Sequence, residues 1–297
     1  MRIGLVTDST CDLSPELLKK LRIEMVPLTI NFTEDEIYKD IIDINQEDFF
    51  KKLVKVEKLP TTSQPAIGWF VEKYQNMADE YDAIISIHLS SKLSGTCESA
   101  IMAAEQVDNV RVEVIDSTSA SFGIGFQVLL AKRLIDEGME INNIVKYIKD
   151  AQKNSKIFFT VNDLSYLQKG GRIGKAQALL GSVLNFYPIL NLVGGDGEIL
   201  PLEKIRGKKK IVKRLVDIVL EELKYEEKAS LGFVHATEME YYKQFKRNLT
   251  EQLNGTKLNY IEKESWISSV IGCHVGPSVY GIVLLKGEIL DNEKSIT

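Results

Sequence analysis

Apolar positions along the chain follow two alternating periods. Short unbroken apolar runs that end in polar, turn-forming residues read as buried strands: RIGLVTDST (2–10), EMVPLTINF (24–32), AIISIHL (83–89) and VRVEVIDS (110–117). Between them, apolar residues recur at helical spacing in LSPELLKKLR (13–22), NQEDFFKKLVKVE (45–57), PAIGWFVEKYQNMADEY (65–81), CESAIMAAEQV (97–107) and SASFGIGFQVLLAKRLIDEG (119–138). Ser14 suits an N-cap with Pro15 at the first helical position, and Gly138 suits the residue after a helix end. Strand and helix alternate, which predicts a mainly parallel sheet with flanking helices.

The second half has a different rhythm. IFFTV (157–161), PILNLV (188–193), EILPLEKI (198–205), ASLGFVHA (229–236), LNYIEKE (258–264) and SVYGIVLLKG (278–287) read as strands. NDLSYLQKGG (162–171), AQALLGSVLNFY (176–187), KKKIVKRLVDIVLEELKYE (208–226) and MEYYKQFKRNLTEQLNG (239–255) read as helices. Gly194, Gly195 and Gly197 form a hairpin turn. The expected architecture is α/β in two domains: residues 1–154 with the mainly parallel sheet, and residues 155–290 with a mixed sheet. The boundary lies in AQKNSK, and the tail DNEKSIT is expected to fray.

Composition narrows the function. A net charge of −5 argues against a globally basic nucleic-acid binder. The three cysteines, Cys11, Cys97 and Cys273, stand far apart without metal spacing, which favours a reducing, cytoplasmic setting and no metal cofactor. No signal-like or membrane-spanning apolar stretch is seen.

Candidate chemistry collects after the predicted strands, where open α/β sheets bind ligands. The loops Thr7-Asp8-Ser9-Thr10, Ser90 to Thr96 and Asp116-Ser117-Thr118-Ser119 are rich in hydroxyls. A fourth cluster, Thr61-Thr62-Ser63-Gln64-Pro65, precedes the 65–81 helix. Such clusters cap helices or receive an anion. Asp8 after the first strand admits a phosphotransferase, but Thr10 stands where a second acid is usual. Ser94 admits a hydrolase paired with a histidine, but GxSxG is absent, as are GxxxxGK[ST] and a GxGxxG that opens a helix. His274 lies in what reads as a glycine-rich loop, SSVIGCHVGPSVYG. The run KIRGKKKIVKR (204–214) offers a basic patch for a phosphate or an acidic partner, and a third reading, a protein- or nucleic-acid-binding regulator, rests on it.

Taken together, VTDSTCDLS, TSQPAIGWF, IHLSSKLSGT, VIDSTSASFGIG, VNDLSYLQKGGRIGKAQALLG and HVGP resemble the DegV family in order and spacing, over residues 2 to 287. The resemblance implies a two-domain α/β fold with a long-chain fatty acid in a tunnel beside the domain junction. It implies a lipid-binding subunit, not an enzyme. That subunit presents the carboxylate to a separate ATP-binding fatty acid kinase subunit and then carries the acyl phosphate towards phospholipid synthesis. It further implies carboxylate contacts from Thr62, Ser94 and His274, with Arg206 and Arg172 at the mouth or the partner contact. No nucleic acid is implied, and transient membrane contact is compatible with the role. Here Val275 follows the histidine, where the family often has threonine. A tail of roughly 15 carbons, at about 0.8 kcal/mol per CH₂, gains on the order of 12 kcal/mol on burial before costs. Ile67, Phe70, Phe122, Ile124, Phe126, Leu179, Leu180, Val183 and Leu184 suit the walls of such a tunnel, and each also reads as core. The alternative is a hydrolase or phosphotransferase using Ser94 or Asp8.

Overall fold

The computed structural model describes residues 1–180, 186–193 and 195–290. The first half runs β1 (Ile3–Asp8), α1 (Pro15–Lys20), β2 (Ile23–Val26), β3 (Thr29–Asn31), β4 (Ile37–Lys39), α2 (Gln46–Leu53), β5 (Thr61–Ser63), α3 (Ile67–Ala78), β6 (Ala83–His88), α4 (Thr96–Ala104), β7 (Arg111–Asp116), α5 (Phe122–Asp136) and α6 (Ile141–Gln152). The second runs β8 (Ser155–Thr160), α7 (Ser165–Lys169), a 3-10 helix (Gly174–Leu179), β9 (Phe186–Val193), β10 (Leu200–Arg206), α8 (Lys208–Leu223), β11 (Lys228–His235), α9 (Met239–Leu253), β12 (Asn259–Trp266), α10 (Ser269–Val275) and β13 (Tyr280–Lys286).

The fold is α/β, as expected. A parallel four-stranded sheet has the order β2-β1-β6-β7. A mixed six-stranded sheet has the order β10-β9-β8-β13-β11-β12, antiparallel except between β11 and β12. β1 and β6 are buried at every position, so their unbroken apolar runs reflect cover on both faces. A cut between residues 154 and 155 leaves each of these sheets whole. One apolar cluster nevertheless crosses it, joining Ile85, Ile124 and Leu130 to Ile157, Leu190 and Val283.

Several expectations change. EMVPLTINF is not one strand: Pro27 has no N–H for a ladder, and the chain leaves the parallel sheet there. It re-enters as the centre of a small antiparallel sheet, β4-β3-β5. Thr61 to Ser63 therefore form an edge strand and do not open α3, which starts at Ile67 behind Ala66. The predicted 176–187 helix is a 3-10 turn over Gly174–Leu179, while Phe186 and Tyr187 pair with Arg206 and Ile205 in the β9–β10 ladder. The rest of that segment, 181–185, and Gly194 of the hairpin turn lie outside the described residues, as does the 291–297 tail. The SSVIGCHVGP segment contains a short helix, α10, whose Ser268 cap accepts from Ile271 N–H and whose end is Gly276 at φ 78°. α6 follows from the spacing of Ile141, Ile144 and Ile148 and went unread.

Candidate functional site

The loops at the carboxyl ends of the parallel strands face the six-stranded sheet across a cavity. It holds about 800 Å³ of empty space, counting its open end. One wall comes from Leu89 and Leu93 after β6 and from Ala120 and Ser121 before α5. The opposite wall comes from Ile157 and Phe159 of β8, two residues apart and so on one sheet face, with Leu192 and Val234. α10 contributes Val270, Ile271, His274 and Val275. Of the twenty lining residues only Thr62, Ser94, Ser121, Arg172 and His274 carry polar side chains.

Thr62, Arg172 and His274 also line a second, outer cleft with Glu57, Lys58 and Lys169. They form a polar threshold between the apolar cavity and the outside. Three local structures bring them there. The antiparallel register sets Thr62 opposite the buried Ile30, so its side chain shares the inward face of the small sheet. α10 carries His274 to the same point, and Thr62 Oγ1 lies 2.8 Å from His274 Nε2. Arg172, in the turn after α7, donates from Nε to Leu93 O at 2.9 Å and from Nη1 to Gly170 O at 2.8 Å. Among the described residues no carboxylate pairs with Arg172, so its charge is available to a ligand.

Ser94 stands just before the first turn of α4. Its Oγ accepts from Thr96 N–H at 3.3 Å and lies 2.9 Å from Thr96 Oγ1. The Thr62 and Ser94 segments meet through Gln64. Its amide donates to Ser99 Oγ at 2.8 Å and rests against Gly95, where a Cβ would come 2.1 Å from Gln64 Oε1. A side chain at 95 would displace the Gln64 amide from this contact.

Burial and the nearby Arg172 guanidinium lower the His274 pKa to about 4, so the ring is neutral at pH 7. His274 therefore brings no positive charge to the threshold. The positive charge at the threshold is Arg172.

Other candidates lie elsewhere. Asp8 is fully buried and belongs to a chain of polar side chains. It accepts from Leu89 N–H at 2.9 Å, from Thr10 N–H at 3.0 Å and from His88 Nδ1 at 3.1 Å. His88 Nε2 lies 2.6 Å from Ser86 Oγ, which lies 2.8 Å from Tyr74 Oη. The order Ser86–His88–Asp8 is that of a hydrolase triad, but all three are at zero exposure and none lines a cavity described here. Although burial alone would raise the Asp8 carboxyl, His88, Thr10 and Leu89 N–H together hold it below its usual value. Asp8 is thus enclosed as a structural acceptor, and the phosphotransferase reading loses its nucleophile. The Ser94 hydroxyl has Thr96, not a histidine, as its hydrogen-bond partner among the described residues.

Arg206 ends β10 on the exposed side, opposite Phe186, and does not line the cavity. Within the basic run, Lys208 pairs with Glu238 and Arg214 with Glu203 and Glu221, while Lys204, Lys209, Lys210 and Lys213 are exposed. His235 is structural: its Nδ1 donates to Ala236 O, and its ring packs between Tyr242 and Trp266. Among the expected walls, Phe70, Phe122, Ile124 and Phe126 are core residues. Phe70 meets the edge of His88, and Phe122 stacks on Phe126 against Gly232. Ile67, Leu179 and Leu180 pack on the core without lining the cavity, and Val183 and Leu184 lie outside the described residues. Among the described residues, no acidic, histidine or cysteine cluster could hold a metal, and no helix is long and apolar enough to cross a membrane.

Known proteins share this architecture. A family model described as uncharacterised protein, DegV family, matches residues 2–287. A DegV domain-containing protein of Halalkalibacterium halodurans is 36% identical over 282 residues, covering 95% of this chain and 97% of that protein. The fatty-acid-binding DegV family protein of Thermus thermophilus superposes with a TM-score of 0.89 at 32% identity, over 96% of this chain and 100% of that one. DegV of Bacillus subtilis, a fatty acid binding protein, superposes with a TM-score of 0.86 at 35% identity, over 96% and 99% of the two chains.

Proposed function

The chain belongs to the DegV family, and on that premise we propose that it binds one long-chain fatty acid. The tail lies in the apolar cavity, and the carboxylate rests at the threshold of Thr62, Ser94 and Arg172, with His274 behind Thr62. The observation that carries this reading is the shared threshold. An apolar cavity ends in a few convergent polar groups that are also reached from an open cleft. A carboxylate held there has its tail out of water and its oxygens accessible.

Such an arrangement suits a carrier that hands its headgroup to another protein. A separate ATP-binding kinase subunit, docked over the outer cleft, would receive the carboxylate oxygen as nucleophile on the γ-phosphorus, with ADP leaving. The acyl phosphate would stay with this chain for delivery to phospholipid synthesis. Exposed Arg206 belongs to the partner surface in this reading, and the compartment is the cytoplasm. The fatty-acid reading of the solved relatives supports the first step, and the accessible threshold supports the second.

Denaturing extraction and mass spectrometry of protein purified from a bacterial host test the binding. One long-chain fatty acid per chain is expected. Protein that is empty and takes up no added fatty acid would overturn it. Incubating loaded protein with ATP, hydroxylamine and a bacterial fatty acid kinase subunit should yield the acyl hydroxamate. Its absence with an active kinase removes the presentation step.

A further inference from the structure

His274 rests against Gly170. A Cβ built on Gly170 would lie 2.3 Å from His274 Nδ1 and 3.2 Å from its Cε1. One Cα hydrogen of glycine therefore points at Nδ1. That nitrogen is buried and has no hydrogen-bond partner among the described residues. A C–H directed at a ring nitrogen fits a lone pair there, whereas an N–H would set two hydrogens head to head. The other ring nitrogen, Nε2, lies 2.8 Å from Thr62 Oγ1. A neutral imidazole has one donor nitrogen and one acceptor nitrogen.

We infer that Gly170 fixes His274 as the tautomer with its proton on Nε2, and that this proton is donated to Thr62 Oγ1. The consequence falls on Thr62. A threonine hydroxyl has one proton and two lone pairs. Were the ring to accept from it, that proton would be spent and only lone pairs would face the cavity, where they would repel a carboxylate. With the ring donating, the Thr62 proton turns into the cavity and is given to the ligand. His274 is thus a positioning residue for Thr62 and supplies no charge of its own. Its depressed basicity agrees with this. The identity of the acceptor in the cavity rests on the fatty-acid reading, but the tautomer does not.

Long-range ¹H–¹⁵N spectra of the full chain, labelled at its three histidines, read the tautomer directly. The His274 signals are those missing from His274→Gln. At pH 7, with and without bound hexadecanoic acid, Nδ1 should appear as a bare nitrogen and Nε2 as N–H. An Nδ1–H ring or a doubly protonated ring overturns the inference. A binding cycle tests the consequence. Thr62→Val and His274→Leu should each weaken hexadecanoic acid binding by about 10- to 100-fold, and the double variant should be no weaker than the poorer single one. Additive losses would mean that His274 acts on the ligand itself. His274→Gln, whose amide N–H reaches towards Thr62, should retain more affinity than His274→Leu, and equal loss counts against the inference. A chain that binds no fatty acid defeats the proposed function, while the spectra of the wild-type protein still decide the tautomer.

Discussion

The side chains of Thr62 and His274 meet at 2.8 Å although 212 positions separate them in the chain. The contact joins an edge strand of the small sheet to a helix that follows the six-stranded sheet. It closes the polar end of the cavity, and any displacement of either element opens that end. On the fatty-acid reading, the stability of the fold and the retention of a headgroup are coupled at this point.

Arg172 is the only charged residue that lines the cavity among those described. Arg172→Gln should weaken fatty-acid binding by about 10- to 100-fold, the range for a hydrogen bond to a charged group. Ser94→Ala, which removes a neutral donor, should cost less. Because Arg172 holds the His274 pKa down, the same glutamine variant should raise that pKa above about 4. Calorimetric titration and histidine NMR check both effects.

Neighbouring glycines should behave differently. Gly170→Ala places a methyl group against His274 Nδ1, so the ring must move and the Thr62 contact loosens. Fatty-acid affinity should drop about 10-fold or more. Gly171 has a left-handed φ of 71° and open space around its missing Cβ. Gly171→Ala should cost about 1–2 kcal/mol in denaturant unfolding and leave affinity nearly unchanged. Equal affinity losses in the two variants would contradict this account of residue 170.

Two buried carboxyls beneath α10 make stability depend on pH. Burial raises Asp12 from 3.8 to about 8, and its bonds from Ser121 Oγ and Ser268 N–H offset only part of that. Burial likewise raises Asp40 to about 7; its oxygens lack a well-aligned partner, although Ser9, Ser269 and Val270 N–H face them. Between about pH 4 and 7 the folded state keeps protons that the unfolded chain has released. The unfolded chain then binds fewer protons, so unfolding free energy falls as pH rises. The contribution is full below about pH 4 and lost on passing through about pH 7 to 8. Asp8, whose pKa is lowered, acts in the opposite sense and loses its contribution on acidification. Asp12→Asn should flatten the decline measured by urea unfolding between pH 5 and 8. An unchanged slope would contradict the assignment.

The enclosed Asp8 network predicts a structural phenotype. Asp8→Asn should destabilise the chain by about 3 kcal/mol, as breaking a buried paired network does. Wild-type protein should show no turnover of p-nitrophenyl esters, and neither should Asp8→Asn nor Ser94→Ala. Ester turnover lost in Ser94→Ala would revive the hydrolase reading.

Much of this was legible in the sequence. Unbroken apolar runs such as IGLVTD and AIISIH marked the parallel strands, because a sheet covered on both faces admits few polar residues. The resemblance carried by the TSQP, LSGT and HVGP segments implied Thr62, Ser94 and His274, which all line one cavity. Three things were not legible. The edge strand holding Thr62 has only three residues and takes its order from Ile30 across the sheet, a long-range pairing without local period. The cavity walls were sought on α3 and α5, whose apolar faces pack into the core, whereas the true walls are strand residues such as Ile157 and Phe159. Apolar spacing cannot separate those two fates. The KGGR segment carries no local sign of the close approach of Gly170 to His274, which needs three dimensions.

The most direct measurement is a comparison of hexadecanoic acid with its methyl ester on delipidated protein by calorimetry. The two share a tail and differ in the headgroup that the proposed site distinguishes. One acid molecule should bind per chain, and the ester should bind at least about 10-fold more weakly. Equal affinity for acid and ester, or no binding of either, would contradict a carboxylate held at Thr62, Ser94 and Arg172.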